Sequence, residues 1–188
     1  MSFVYFAMAS AFAVFVFWFP SMVKSLDQAS LQLTGLISMI PYIAAPAGMI
    51  WIGRRSDLKL ERRWHIAVCI IVAAAALLLT TLLPVSLVSL VLLQVVFAGA
   101  INGAAAVFWT VPTAYLPAAT AAGGIALISS IGQLGNFFSP ALLGWIKTET
   151  GSLSHGIWIM TVLLCVAAVV LLASFPQRLI QERRQARP

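Results

Sequence analysis

Charged residues are scarce in this chain. Of its 188 residues, 9% are Asp, Glu, Lys or Arg and 62% are hydrophobic, whereas an ordinary soluble domain is about half apolar and roughly a quarter charged. A domain of this length still exposes about a third of the surface of its unfolded chain. Eleven basic and five acidic side chains cannot cover that surface in water. The composition therefore excludes a water-soluble fold and predicts an integral membrane protein.

The chain is also poor in groups that bind metals or perform catalysis. Its two cysteines, Cys69 and Cys165, fall inside predicted helices, where a buried or lipid-facing thiol needs no partner. His65 and His155 lie at helix ends and do not have the spacing that builds a metal site on one helix face. The sequence contains no paired acids, nucleophile elbow or phosphate loop. It therefore predicts no catalytic residues, no metal, no cofactor and no enzyme.

The positions of the few charges divide the chain into apolar segments. A spanning helix needs about 20 apolar residues, and three of the uncharged stretches have that length. The remaining uncharged stretch, residues 64–146, has room for three helices, with turn signals at Pro84 and from Pro112 to Gly124. The predicted fold is an all-α membrane bundle of six transmembrane helices, at about residues 3–23, 32–53, 65–83, 86–109, 119–146 and 155–175.

The basic residues predict the orientation of this bundle. Nine of the eleven lie in two segments, the loop 54–64 and the tail 176–188, and cytoplasmic segments carry the excess of Lys and Arg. Four helices separate the two segments, so both lie on the same side. We expect a multi-pass protein of the cell inner membrane with both termini in the cytoplasm. The net charge of +6 then reflects topology and contact with anionic lipid, and no nucleic-acid partner is expected.

Uncharged polar groups are unevenly distributed among the predicted helices. The first, second, fourth and fifth carry them within their spans, whereas the third and sixth carry almost none and are expected to face lipid. This pattern indicates two three-helix repeats, as in half of an inverted-repeat transporter. Ser129, Gln133 and Asn136 share one helix face, as do Asn102 and Trp109. For Gln133 and Asn136, ligand contact and helix packing are equally compatible with the sequence.

Two pairs of glycines favour helix packing over ligand binding. Gly99 and Gly103 form a GxxxG pair in the fourth helix, and Gly132 and Gly135 lie within the polar segment of the fifth. Small residues at such spacings let two helices approach closely in a membrane. We therefore expect both pairs at helix crossings.

The most specific motif lies between the second and third helices. Residues 53–65 read Gly-Arg-Arg-Ser-Asp-Leu-Lys-Leu-Glu-Arg-Arg-Trp-His. This segment resembles the G-x-x-x-D-R-x-G-R-R signature of the major facilitator superfamily, and it shares with that signature Gly53, Asp57 and an arginine pair, Arg62 and Arg63. The Glu-Arg-Arg-Trp-His ending, the Phe-Trp-Phe-Pro of the first helix and the Gly-Gly-rich fifth helix are similar to the C-terminal half of its anion:cation symporter branch. That branch includes carriers of phthalate, tartrate and sugar-acid anions.

The resemblance implies the C-terminal six-helix half of a twelve-helix carrier that works by alternating access. The expected substrate is a small organic anion, a carboxylate or sugar acid, coupled to a proton or another cation. No charged residue lies inside the predicted helices, so we expect the anion-binding cation and the proton-carrying acid in a missing N-terminal half, and this chain to be inactive alone. The residues expected to reach the substrate are Gln133, Asn136, Ser129, Asn102 and Tyr42, with Tyr5, Ser10 and Trp109 as second choices.

The signature loop and the function each leave an alternative open. Gly53, Asp57, Arg62 and Arg63 are expected to form a gate or latch, with Asp57 pairing one of the nearby arginines, and the alternative is a solvated loop that sets topology. For the whole chain, the alternative to a carrier half is a non-transporting six-helix membrane partner whose polar groups only join helices. Additional spans with internal charges upstream of Met1 would favour the carrier.

Overall fold

The chain is largely helical over residues 1–27, 30–59, 61–84 and 86–174, which are the residues that the computed structural model describes. These residues contain no strand and include six segments long and apolar enough to cross a membrane, which confirms the predicted fold class. The predicted tail 176–188 lies outside the described residues. The helices are α1 (Ser2–Asp27), α2 (Leu31–Lys59), α3 (Arg62–Leu82), α4 (Leu87–Phe108), α5 (Thr110–Tyr115), α6 (Ala118–Thr150) and α7 (Ser154–Ser174).

Local chemistry explains where several helices begin and end. The Ser30 hydroxyl accepts a hydrogen bond from the Leu33 amide at 3.3 Å before α2, and the Ser86 hydroxyl accepts one from the Ser89 amide at 3.1 Å before α4. Both satisfy amides that the first helical turn leaves free. Gly151 ends α6 in the left-handed conformation, at φ +69°, which a glycine adopts without steric cost.

The helix α2 extends into the segment predicted as a loop. Residues 54–59 of the expected loop 54–64 are helical, and α3 begins at Arg62, still within that expected loop. The 29 residues of α2 correspond to about 43 Å of helix, longer than the roughly 30 Å of a hydrocarbon core. The charged end of α2 therefore projects beyond the apolar layer as a helix, because residues 54–59 include no glycine or proline to end it.

The fourth span is longer than predicted and is interrupted. The chain leaves α4 after Phe108, turns at Trp109 and continues as α5, so the membrane-capable segment runs from Leu87 to Ala114. Pro112 has no amide hydrogen to bond the carbonyl four residues earlier, which explains an interruption of the helix here. The residues after Trp109, predicted as a turn, are therefore helical up to Tyr115.

Glycines mark the closest helix crossings. A Cβ at Gly48 of α2 would meet the backbone of Gly99 of α4, and one at Gly103 would meet the side chain of Ile52. On the other side of the bundle, a Cβ at Gly132 of α6 would meet the Tyr5 ring. Both glycine pairs predicted to mediate packing do so.

The remaining contacts place α3 and α7 behind these two crossings. α3 packs against α4 and α7, and α7 also packs against α1. Burial differs sharply among the spans: 22% of the residues are buried in the apolar window of α2 and 17% in that of α6, against 44–56% in the other four. The helices α2 and α6 therefore have large surfaces that the described part of the chain leaves uncovered.

Candidate functional site

The predicted polar stripe lies along the exposed middle of α6. The Asn136 amide donates a hydrogen bond to Gln133 Oε1. Gln133 is exposed, and Ser129 and Asn136 are half-buried. The side-chain nitrogen of Gln133, Nε2, and the side-chain oxygen of Asn136, Oδ1, have no hydrogen-bond partner elsewhere in the described part of the chain. One donor group and one acceptor group are thus oriented by their mutual bond and available to a ligand.

An aromatic cluster lies next to this stripe. The Tyr5 ring is stacked on Phe108 with centroids 5.5 Å apart and meets the edge of Trp109 at 4.8 Å. Tyr5 also lies against Gly132, the residue before Gln133, at a position where a side chain would displace the ring. The structure therefore brings Tyr5 and Trp109 together at the junction of α4 and α5, beside the polar segment of α6.

The other three predicted site residues make contacts within the bundle. Ser10 is 1% exposed, and its hydroxyl lies close to the backbone of Gly135 in the α1–α6 contact. The Asn102 amide donates to the carbonyl of Ala98 at 2.9 Å, within its own helix. Tyr42 is 42% exposed, and its ring packs 5.3 Å from that of Phe15, away from the aromatic cluster.

The signature segment forms an ion pair and a contact with a distant helix. Arg62 Nη2 lies 3.9 Å from Asp57 Oδ1, which joins the last turn of α2 to the first turn of α3. Arg62 Nη1 also donates to the carbonyl of Thr110, at the start of α5, at 3.0 Å. The Asp57 side chain is 71% exposed, so water screens its ion pair, and the bond to Thr110 is the better protected of the two.

The surroundings of the other two signature residues, Arg63 and Gly53, differ from each other. The Arg63 guanidinium lies over the Trp64 ring, 5.9 Å from its centroid. Gly53 has open space where a Cβ would stand, so packing does not require a glycine there. The sequence did not predict the Thr110 carbonyl as a partner, because a backbone acceptor leaves no signal in residue type.

The polar stripe of α6 includes one further residue, Ser139, which the sequence analysis did not predict as part of the site. Ser139 follows Asn136 by three positions, which places it near the same helix face. Its hydroxyl is buried and donates to the carbonyl of Ser10 at 2.9 Å. The polar stripe of α6 therefore ends in a bond that holds α6 to α1.

The described residues contain no group of three or more His, Cys, Asp or Glu side chains that could hold a metal ion.

Comparison with known proteins gives a family match over almost the whole chain. The family model described as Major Facilitator Superfamily matches residues 1–187. A protein of Agrobacterium vitis named as a tartrate transporter is 37% identical over 172 residues, covering 92% of this chain and 39% of its own length. The metabolite transport protein NicT of Pseudomonas putida is 34% identical over 164 residues, covering 87% of this chain and 37% of its own length.

A third relative has a name of a different kind. A quinolone resistance transporter of Acinetobacter baumannii is 33% identical over 153 residues, covering 81% of this chain and 35% of its own length. The chain therefore spans less than two-fifths of the length of each of these three relatives.

Proposed function

Because this chain belongs to the Major Facilitator Superfamily, we propose that it supplies six helices of a carrier for a small organic anion. Family membership confirms the predicted family and the multi-pass membrane character, and the names of the relatives agree with its anion-transporting branch. Members of this family are transporters, so the prediction that the chain is not an enzyme is also confirmed. The substrate, the coupling ion and the second half of the carrier belong to the proposal.

The polar stripe on an uncovered face of α6 carries this proposal. A face that meets only lipid tails gains nothing from two side-chain amides, because hydrocarbon offers them no hydrogen bonds. Gln133 and Asn136 nevertheless lie in the middle of a span of which 17% is buried by this chain. We propose that this face, with Ser129 at its edge, lines a water-filled substrate cavity between the chain and a second six-helix half.

The substrate class follows from what these side chains can and cannot bind. Amides donate to carboxylate oxygens and accept from hydroxyl groups, which suits a hydroxylated carboxylate. The name of one relative, a tartrate transporter, supports this class. Tyr5 and Trp109 would border the cavity, and we keep Asn102, Tyr42 and Ser10 as predictions although their described contacts lie within the bundle.

The ionic part of the mechanism is proposed to lie elsewhere in the carrier. An anion needs a cation at its binding site, and proton coupling needs a titratable acid. The six membrane-capable segments place their charged residues only toward their ends. We assign both groups to a missing N-terminal half, which agrees with the greater length of the relatives. Coupling to a proton or another cation drives transport in this scheme.

The signature segment is proposed to act as a latch on the cytoplasmic side. Arg62 connects the end of α2, through Asp57, with the start of α5, through the Thr110 carbonyl. A change in the chain direction at Trp109 would move that carbonyl away from Arg62. The basic loop supports a cytoplasmic position for this end, and with it an inner-membrane protein with both termini in the cytoplasm.

Uptake of a panel of labelled carboxylates by the full-length protein tests the proposal. Gln133→Ala and Asn136→Ala are each expected to raise KM about three- to tenfold, the loss of one or two hydrogen bonds to the ligand. Gln32→Ala is the matched control, because Gln32 is an exposed amide at the start of α2, and its KM should not change. Unchanged KM in both α6 variants would identify the stripe as packing groups.

A further inference from the structure

A small cavity lies among five helices and is lined on α6 by Leu143, seven residues after Asn136. Its volume is about 10 Å³, and it is near the end of the bundle at which α4 and α7 begin. Gln94 is seven residues after the start of α4, which corresponds to a depth of about 10 Å along the helix. The lining is mainly apolar and includes Phe15, Leu77, Leu143 and Ile157, and the two lining residues with polar side-chain atoms are Gln94 and Trp18.

The orientation of the Gln94 amide follows from its neighbour. Gln94 is 3% exposed, and its Nε2 donates to Thr80 Oγ1 at 3.4 Å. The Thr80 hydroxyl hydrogen is already donated to the carbonyl of Ala76 at 2.8 Å, so Thr80 can only accept from Gln94. This leaves Gln94 Oε1 as a buried acceptor without a hydrogen-bond partner in the described residues. A buried carbonyl in that state is unfavourable.

Trp18 presents the complementary group at the same cavity. Its indole Nε1 is buried and likewise has no acceptor among the described residues, and an indole nitrogen can only donate. Lys147 Nζ lies over the Trp18 ring, 4.9 Å from its centroid, and an ammonium group cannot accept a hydrogen bond from the indole. Two residues that line one cavity thus carry one unpartnered donor and one unpartnered acceptor.

We propose that a single ordered water molecule binds here, accepting a hydrogen bond from Trp18 Nε1 and donating one to Gln94 Oε1. Water fits the chemistry because the ligand must accept at one partner and donate at the other. An inorganic anion could satisfy only Trp18, and a metal cation only Gln94. Water also fits the size, since a cavity of about 10–15 Å³ holds one molecule. A hydroxylated organic molecule is too large.

The bound water connects three helices. It joins Trp18 of α1 to Gln94 of α4, and Gln94 in turn holds Thr80 of α3. These three helices meet at the end of the bundle opposite the contact between Arg62 and Thr110, which lies at the ends of α2 and α4. The water bridge therefore clamps one end of the six-helix unit, and it does so whether or not the proposed substrate site is correct.

Water-to-indole magnetisation transfer in the purified full-length protein, with ¹⁵N-labelled tryptophan, tests the bridge directly. The Trp18 indole signal, identified by its loss in Trp18→Phe, is expected to show transfer from a long-lived water molecule. Gln94→Leu removes the acceptor and should abolish that transfer while the Trp18 signal itself remains. Absence of the transfer in the parent protein would overturn the proposal.

Thermal unfolding gives an independent measurement. Trp18→Phe and Gln94→Leu are each expected to lower Tm by a few degrees, and the double variant should lower it by less than the sum, because either change alone breaks the bridge. The matched control combines Gln94→Leu with Trp145→Phe, whose ring is 63% exposed, and its shifts should add. Additive shifts for the Trp18 pair as well would contradict a shared water.

Discussion

The outward faces of α3 and α7 differ in chemistry from the outward face of α6, although all three helices lie at the surface of the bundle. The outer faces of α3 and α7 consist largely of Val, Ile and Leu side chains such as Val68 and Val162, which lipid tails solvate well. The outer face of α6 carries Gln133 and Asn136, and α2 and α6 are the two helices that the chain buries least. The proposed function predicts lipid opposite the outer faces of α3 and α7, and a polar, water-filled space opposite the face of α6 that carries Gln133 and Asn136.

The largest expected loss of stability comes from filling the contact between α2 and α4, compared with filling an open position on α2. Gly48→Ala is expected to destabilise the bundle by about 3 kcal/mol, at the upper end of overpacking costs, because the new Cβ meets the Gly99 backbone, which cannot rotate away. Gly35→Ala is the control on the same helix. Nothing lies within 4 Å of its Cβ position, and alanine favours helix over glycine. Thermal unfolding in detergent should show a lower Tm for the first variant only.

A charged residue on the outer face of α7 and another on the outer face of α6 compare these two faces directly. Val162→Asp on α7 should cost about 2.5 kcal/mol, as for an acid at the centre of a lipid-facing helix, and should reduce the amount of folded protein recovered from membranes. Phe137→Asp lies four residues after Gln133 and is 74% exposed. It should cost less than about 1 kcal/mol, because a water-filled cavity solvates the carboxylate. Equal losses would mean that both faces meet lipid.

The signature contact adds a comparison between two arginines of one segment. Arg62→Gln removes the bond to the Thr110 carbonyl and the pair with Asp57, and we expect the initial transport rate to change about three- to tenfold, equivalent to roughly 1 kcal/mol. Arg54→Gln, at an exposed position, should leave the rate unchanged. Asp57→Asn should have a smaller effect than Arg62→Gln, because its ion pair is solvent-exposed. If Arg62→Gln and the parent protein transport at the same rate, the proposed latch role of Arg62 is contradicted.

The smallest expected change in stability comes from a substitution on the outer face of α7. Cys165 is exposed on α7, and Cys165→Ala should change stability by less than about 0.5 kcal/mol, as at other surface positions without special contacts. Cys69 is buried against the core, so Cys69→Ser should lower Tm measurably, since it places a hydroxyl in an apolar environment. Thermal unfolding of the two variants side by side measures the difference between the two thiols.

The sequence predicted the elements of this fold better than the contacts between them. Charge positions located six spans because a charged group inside a bilayer is costly, whatever the tertiary structure. Spacing placed Gln133 and Asn136 on one face because helix geometry is local. The burial of Ser10 against Gly135, and the bond from Arg62 to Thr110, depend on how helices rotate and cross. Rotation and crossing arise from packing between residues distant in sequence, so residue type alone could not predict them.

Accessibility of introduced thiols most directly tests whether the α6 face lines a water-filled cavity. In the full-length protein, Gln133→Cys should react rapidly with a charged, membrane-impermeant thiosulfonate in membranes opened to both sides, and a bound carboxylate should slow that reaction. The native Cys165 on α7 should react only with an apolar, membrane-permeant maleimide. If the thiol introduced by Gln133→Cys is as unreactive toward the charged reagent as Cys165, the account is contradicted, because the α6 face would then be covered by lipid or protein.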